Sequence, residues 1–337
     1  MKACVLTDLH RLEIQDRPDP RAGAHHVVVR VEAASLCGTD VHQYEGTLPT
    51  ELPRVLGHDF GGTVVEVGPD VTGVATGTRV VVKPSFPCGT CELCARGGHE
   101  HCENKKLIGL WSDGCMAEYM AVPVANLVPI PDGVTTESTA NLEPFAVALN
   151  TMRRLQPEIG EWAVVLGCGP IGLAQIAMAR IAGARVIAVD LRAEALDLAR
   201  TFGAEQLVDA SVGDVHEAVL GLTGDGADIV IEAAGTKPTV GAMVGLARKH
   251  GRLANVGIQT TMGSIDLIPY MMKCLTMHGI GGNGGKGQYE TCLRLTAEGV
   301  IRPDTLITHR APLADARELF ELASEKREGV IKAVLVP

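Results

Sequence analysis

A chain of 337 residues exceeds what one ordinary hydrophobic core serves, so two domains are expected. Its 46% hydrophobic and 21% charged content is that of a folded globular protein, and with aromatics at only 3% the core must come from Val, Leu, Ile and Ala. The formal net charge of −10, with no basic run set against it, argues against a nucleic-acid partner, and no unbroken apolar stretch is long enough to span a membrane.

Met1 to Leu6 run straight into a strand-like pattern without the layout of a signal peptide, so the expected compartment is the cytoplasm. Up to about residue 146, short alternating runs such as Val27–Val31, Gly62–Val67 and Arg79–Val82 are separated by Gly and Pro. This is how an irregular, mostly antiparallel β domain reads. Three pieces within it carry metal-ligand chemistry: Cys37-Gly38-Thr39-Asp40-Val41-His42, Gly57-His58-Asp59, and Glu143-Pro144. They offer thiolate, imidazole and carboxylate, the donor types of an open zinc site, although Cys37 or His58 alone is more readily a packing residue. Between them Cys88-x2-Cys91-x2-Cys94-x7-Cys102 places four thiols in one loop, and in a reducing compartment that spacing points to a closed, structural zinc. His99 and His101 read as surface loop residues beside it. Cys4, Cys115, Cys274 and Cys292 read as small buried hydrophobes.

From Trp162 the rhythm changes to alternating strands and helices. Strands are expected at Ala163–Leu166, Arg185–Asp190, Ala227–Glu232 and Arg252–Val256, with helices at Ile171–Ala182 and Ala193–Phe202, as in a doubly wound parallel sheet. Gly167-Cys168-Gly169-Pro170-Ile171-Gly172 sits between the first strand and first helix as a GxGxxG turn, whose glycines let backbone and helix N-terminus approach a pyrophosphate. Asp190 ends the next strand where a ribose-binding acid belongs. A carboxylate there favours NAD over NADP, and Arg192, more plainly a solvated charge, can soften that preference. The tail after the Gly279–Gly287 segment ends in the strand Lys332–Val336 and is too short to stand alone.

Taken in order, these motifs resemble the zinc-containing medium-chain dehydrogenases, in the branch of polyol, butanediol and threonine dehydrogenases, over essentially the whole chain. The resemblance implies a GroES-like catalytic zinc domain over residues 1–146, completed by 284–337, and an NAD-binding Rossmann domain over 147–283. It implies two zinc ions per chain and NAD. Cys37, His58 and Glu143 match catalytic zinc ligands, and Asp59 stands where the family has a glutamate able to swing onto the metal, one methylene longer. Thr39 and His42 match the two protein members of a proton relay from the alcohol through the cofactor ribose. The implied activity is reversible oxidation of a secondary alcohol or polyol to a ketone. L-Threonine and sugar-phosphate polyols are the alternative substrates, and a non-catalytic nucleotide-binding relative is the alternative class. A homodimer or homotetramer is implied, a tetramer in this branch. Where sorbitol-type enzymes carry an Arg–Tyr pair, this chain has Gly281-Gly282-Asn283-Gly284-Gly285-Lys286-Gly287. Tyr44, Phe60, Trp111 and Phe145, with Asn283 or Lys286, are therefore the pocket candidates.

Overall fold

Period-two alternation buries one face of a sheet, and the chain follows it as far as Pro129. The computed structural model describes residues 1–96, 102–259, 262–282 and 287–337. Its first elements are β1 (Lys2–Asp8), β2 (Arg11–Asp16), β3 (His26–Ser35), α1 (Gly38–Tyr44), β4 (Arg54–Val55), β5 (Asp59–Val67), β6 (Arg79–Val82) and β7 (Ser85–Phe86). There follow α2 (Glu92–Ala95), β8 (Lys106–Leu107), β9 (Tyr119–Pro123), β10 (Leu127–Pro129), α3 (Thr136–Ala140) and α4 (Glu143–Leu155). The parallel part comprises β11 (Trp162–Leu166), α5 (Pro170–Ile181), β12 (Arg185–Asp190), α6 (Ala193–Thr201), β13 (Gln206–Asp209), α7 (Val215–Thr223), β14 (Ala227–Glu232), α8 (Lys237–Leu246), β15 (Ala247–Asn255), α9 (Leu267–Met272) and β16 (Thr276–Gly279). The chain closes with α10 (Gln288–Ala297), β17 (Ile307–Pro312), α11 (Ala316–Glu325) and β18 (Lys332–Val336). No helix among the described residues is long and apolar enough to cross a membrane.

The chain divides into two compact units, Met1–Glu143 with Gly285–Pro337, and Pro144–Gly284. In the first, a seven-stranded sheet runs β10-β6-β5-β3-β18-β17, with β9 also paired to β3. Its core holds Val5, Val29, Phe60, Val64, Leu319 and Phe320. Two registers matter most. Ser35 faces Asp59 across β3 and β5, and Val334 faces Ser35 across β18 and β3. The end of β3 and the starts of β5 and β18 therefore meet at one place; Cys37 and His58 lie just outside the first two, and Lys332 is the first residue of β18.

The second unit is a six-stranded sheet in the order β13-β12-β11-β14-β15-β16, every pair parallel. Val164, Ile187, Val230, Met243 and Leu253 lie in its core. Strand order reverses between β11 and β14, and the crevice at the C-terminal ends of those two strands is where such sheets bind ligands. The strands at Arg185–Asp190 and Ala227–Glu232 have their expected bounds, whereas the helix expected from Ile171 starts one residue earlier, at Pro170. Proline suits that first position because its missing N–H would have had no partner there. Sequence alone did not reveal β13, α7 or β16. β13 has only Leu207 and Val208 to mark it, too few residues to display a period. Cys274 departs from expectation: it is exposed, with φ +52, in the turn after α9.

Candidate metal centres and nucleotide turn

Four thiols packed together repel one another as thiolates unless a cation sits among them. Cys88, Cys91, Cys94 and Cys102 lie with all ligand atoms within 4.8 Å of one another, Cys91 Sγ and Cys102 Sγ being 3.8 Å apart. Backbone amides point at three of the sulfurs. Cys91 N–H donates to Cys88 Sγ at 3.3 Å, Cys94 N–H to Cys91 Sγ at 3.4 Å, and Cys88 N–H to Cys102 Sγ at 3.2 Å. Hydrogen bonds from Thr90 and then the Cys91 amide bring the Cys88 thiol down to about 5. All ten cysteines are free of disulfides. This donor set fits a closed tetrahedral zinc. His99 and His101 lie outside the described residues.

At the junction of β3, β5 and β18, Cys37, His58 and Asp59 also lie with ligand atoms within 4.8 Å of one another. Asp40, 0% exposed, organises this place without joining that set. Its Oδ2 accepts the Cys37 N–H at 2.8 Å, its Oδ1 accepts the Gly57 N–H at 3.0 Å, and Oδ1 lies 3.6 Å from His58 Nδ1. One carboxylate thus sets the positions of two candidate ligands. Burial opposes charge on His58, but Asp59, Asp40 and Cys37 outweigh it and hold the imidazole well above its usual range.

Asp59 supplies the third close donor, and Glu143 is not one of that set. Desolvation pushes the Glu143 carboxyl up to about 7, and the Asp59 charge adds to this against the pull of His58 and Lys332. Asp59 Oδ1 is buried with no hydrogen-bond partner among the described residues. A carboxylate oxygen without a hydrogen bond, 3.8 Å from His58 Nε2, with a second desolvated carboxyl, a thiol and an imidazole, fits a divalent cation.

Reading the sequence missed Lys332. Its ammonium is 2% exposed and lies 3.2 Å from Asp59 Oδ2. Burial alone would discharge it, but Asp59, Cys37 and Glu143 more than compensate and raise its pKa. Its neighbours in sequence say only that it begins a strand.

Thr39 is buried on the first turn of α1, its Oγ1 3.8 Å from Cys37 Sγ. His42 lies one turn on, with Nδ1 3.0 Å from Thr47 Oγ1. Burial, helped by Lys326 and opposed by Glu45, lowers the His42 pKa. Of the aromatic pocket candidates, Tyr44, Phe60 and Phe145 are 4%, 0% and 0% exposed and serve packing. Trp111 alone is open, at 55%, and lines a pocket of about 430 Å3 with Pro49, Thr50, Glu51, Arg54 and Leu110. Asn283 and Lys286 lie outside the described residues.

In the second unit the GxGxxG turn can be tested atom by atom. Gly167 has φ +95, and a Cβ there would lie 2.8 Å from the Ala234 Cβ; one on Gly172 would overlap the Gly167 carbonyl. A Cβ on Gly169 would meet no protein atom within 4 Å. The space over Gly169 is open, as a pyrophosphate approach requires, and Pro170 and Ile171 open α5 beside it. Asp190 Oδ2 accepts the Cys168 N–H at 2.7 Å and Oδ1 the Arg192 N–H at 2.9 Å. The Arg192 side chain approaches the same carboxylate at 3.6 Å. Arg192 is therefore paired to the acid it follows and is not merely solvated.

Residues 23–132 match the family described as alcohol dehydrogenase GroES-like domain, and residues 170–298 match zinc-binding dehydrogenase. L-Threonine 3-dehydrogenase of Rhizobium etli (strain CIAT 652) is 33% identical over 98% of this chain and 97% of its own length. Sorbitol dehydrogenase of Halalkalibacterium halodurans is 32% identical over 100% and 99%. The solved alcohol dehydrogenase of Thermus sp. ATN1 superposes with a TM-score of 0.92 at 30% identity, covering 100% of this chain and 99% of its own.

Proposed function

We propose how the work is divided among the residues of this chain, which belongs to the zinc-dependent alcohol dehydrogenase family and transfers a hydride between NAD and the CH–OH group of a secondary alcohol or polyol. Cys37 and His58 hold the catalytic zinc, with Asp59 nearest to them and Glu143 contributing its carboxyl. Zinc bound there supplies a Lewis acid that lowers the proton affinity of a substrate hydroxyl. Thr39 would accept that proton at Oγ1 while passing on its own, and His42, whose pKa burial lowers, is the outer protein member of the relay. Asp40 positions Cys37 and His58 through their backbone and ring contacts. Cys88, Cys91, Cys94 and Cys102 hold a second, structural zinc.

Gly167, Gly169 and Gly172, with Pro170 and Ile171, receive the NAD pyrophosphate at the N-terminus of α5. Asp190 accepts the adenosine ribose hydroxyls with Arg192 beside it. Residues 1–146 with 284–337 then form the zinc domain, and 147–283 the nucleotide domain. The observation that carries this reading is the convergence of Cys37, His58 and Asp59 around one point.

The test is a coupled NAD(H) absorbance screen over diols, polyols, hydroxy-amino acids and their phosphates, with zinc quantified on the same sample. About two zinc ions per chain and NADH appearance with a secondary alcohol support the proposal, and a zinc-free preparation refutes it. L-Threonine is the second reading, favoured by the Rhizobium etli relative, and activity on threonine alone would establish it. The working form is a homodimer or homotetramer in the cytoplasm. α9 supports oligomerisation by leaving Leu267, Ile268, Met271 and Met272 between 65% and 71% exposed.

A further inference from the structure

Glutamate is almost never fully buried unless it is paired. Glu232, the last residue of β14, is 0% exposed and has no ion-pair partner among the described residues. Three donors converge on its Oε1: the Ala234 N–H at 3.0 Å, the Gly235 N–H at 2.8 Å and the Thr239 hydroxyl at 2.7 Å. Its Oε2 has no hydrogen-bond partner among the described residues. The Glu232 carbonyl accepts two more amides, Val256 N–H at 2.9 Å and Gly257 N–H at 3.1 Å. One residue thus ties the loop after β14 to the start of α8 and to the loop after β15.

Its place in the sheet gives this meaning. Glu232 is in register with Leu166, across the two strands between which the strand order reverses. Gly167 follows Leu166, and the closest approach to a Cβ built on Gly167 is the Cβ of Ala234, at 2.8 Å. A Cβ on Gly172 would meet that of Ala233 at 3.6 Å. The turn that Glu232 shapes therefore packs directly against the glycine turn, at the strand ends where the ligand crevice lies.

We infer that Glu232 is a positioning residue for the dinucleotide, fixing the Ala233–Gly235 wall as a face that accepts hydroxyl donors and turns away phosphate. The inference rests on the NAD reading and goes beyond it. With the Ala234 and Gly235 amides taken by the carboxylate, this wall has no N–H groups there to offer a phosphate, and its backbone can only accept. The pyrophosphate stays with the open N-terminus at Gly169, the adenosine ribose with Asp190, and the hydroxyls of the second ribose meet the Glu232 side.

The test is NADH fluorescence titration of the zinc-loaded protein, with inorganic pyrophosphate as a competing probe. Three charge-assisted donors make Glu232→Ala weaken NADH by about tenfold or more, and Glu232→Gln, which keeps one acceptor oxygen, by less. Thr239→Val removes one donor from the half-buried α8 side and should weaken NADH by about threefold, so it carries the test where the alanine variant does not fold. Zinc content and pyrophosphate competition should remain those of the parent. Unchanged NADH affinity in Glu232→Gln and Thr239→Val overturns the inference. So does equal weakening of NADH and pyrophosphate, which would mean general damage to the unit. A parent that fails to bind NADH would instead refute the cofactor reading itself.

Discussion

Lys332 and Asp59 form an ion pair in which both side chains are almost wholly out of water, at 2% and 1% exposure. Removing one partner of such a pair leaves an uncompensated buried charge, which costs roughly 3–5 kcal/mol. Lys332→Met should lower unfolding free energy by about that amount in denaturant titration, and Asp59→Asn in the same chain should recover most of it. Additive losses in the double variant would show that the two do not interact. His42 gives the pH dependence. Its folded pKa is depressed below the ordinary 6.5, so its contribution to stability is fully present above pH 6.5 and is lost as pH falls through the depressed folded value. Alcohol oxidation should fall over the same acid range because protonated imidazole accepts no proton, and His42→Asn should remove that limb from the kcat/KM profile. Asp190→Ala should raise the KM for NAD and narrow its advantage over NADP, because Arg192 would keep its charge without its carboxylate. Initial rates with both cofactors decide this, and unchanged selectivity would reject the ribose role.

At the scale of elements, what the sequence disclosed was whatever chemistry is local. The GxGxxG turn needs six adjacent residues and a helix start, and the four-cysteine loop needs fifteen, Cys88 to Cys102; both are legible in a linear string. Lys332 was not. Its role arises from the register of β18 against β3, and its partner Asp59 is 273 residues away. Glu232 likewise reads as the polar end of an apolar strand until Ala234, Gly235 and Thr239 are seen to converge on it. Tyr44 and Phe60, open in sequence to either a pocket or a packing role, prove to be packing residues: an aromatic side chain looks the same in sequence whether it lines a pocket or fills a core. Among the described residues the four-cysteine loop is flanked by β7 and β8, each of two residues, so a metal held by its thiols would supply much of its order. Cys91→Ser should bring zinc from about two ions per chain to about one and lower Tm more than kcat. Metal analysis with calorimetry checks it.

For the whole molecule, α9, with its exposed apolar side chains, immediately precedes β16, an edge strand of the parallel sheet among the described residues. An unpaired edge strand and an exposed apolar helix each invite association. Light scattering of the native protein should report a dimer or tetramer, and Met271→Asp with Leu267→Asp should shift it toward monomer. A species unaffected by both charges would place the contact elsewhere.

The pairing of Ser35 with a strand 298 residues further on has a consequence for biosynthesis. While the ribosome is making the parallel sheet, the earlier β unit lacks both its closing strand and the only ammonium near Asp59 among the described residues. Vectorial synthesis thus favours the inserted unit, whose strands are all contiguous in the nascent chain, as the first to fold. The β unit then completes its sheet, and Asp59 gains its ammonium partner, only after Lys332 has emerged.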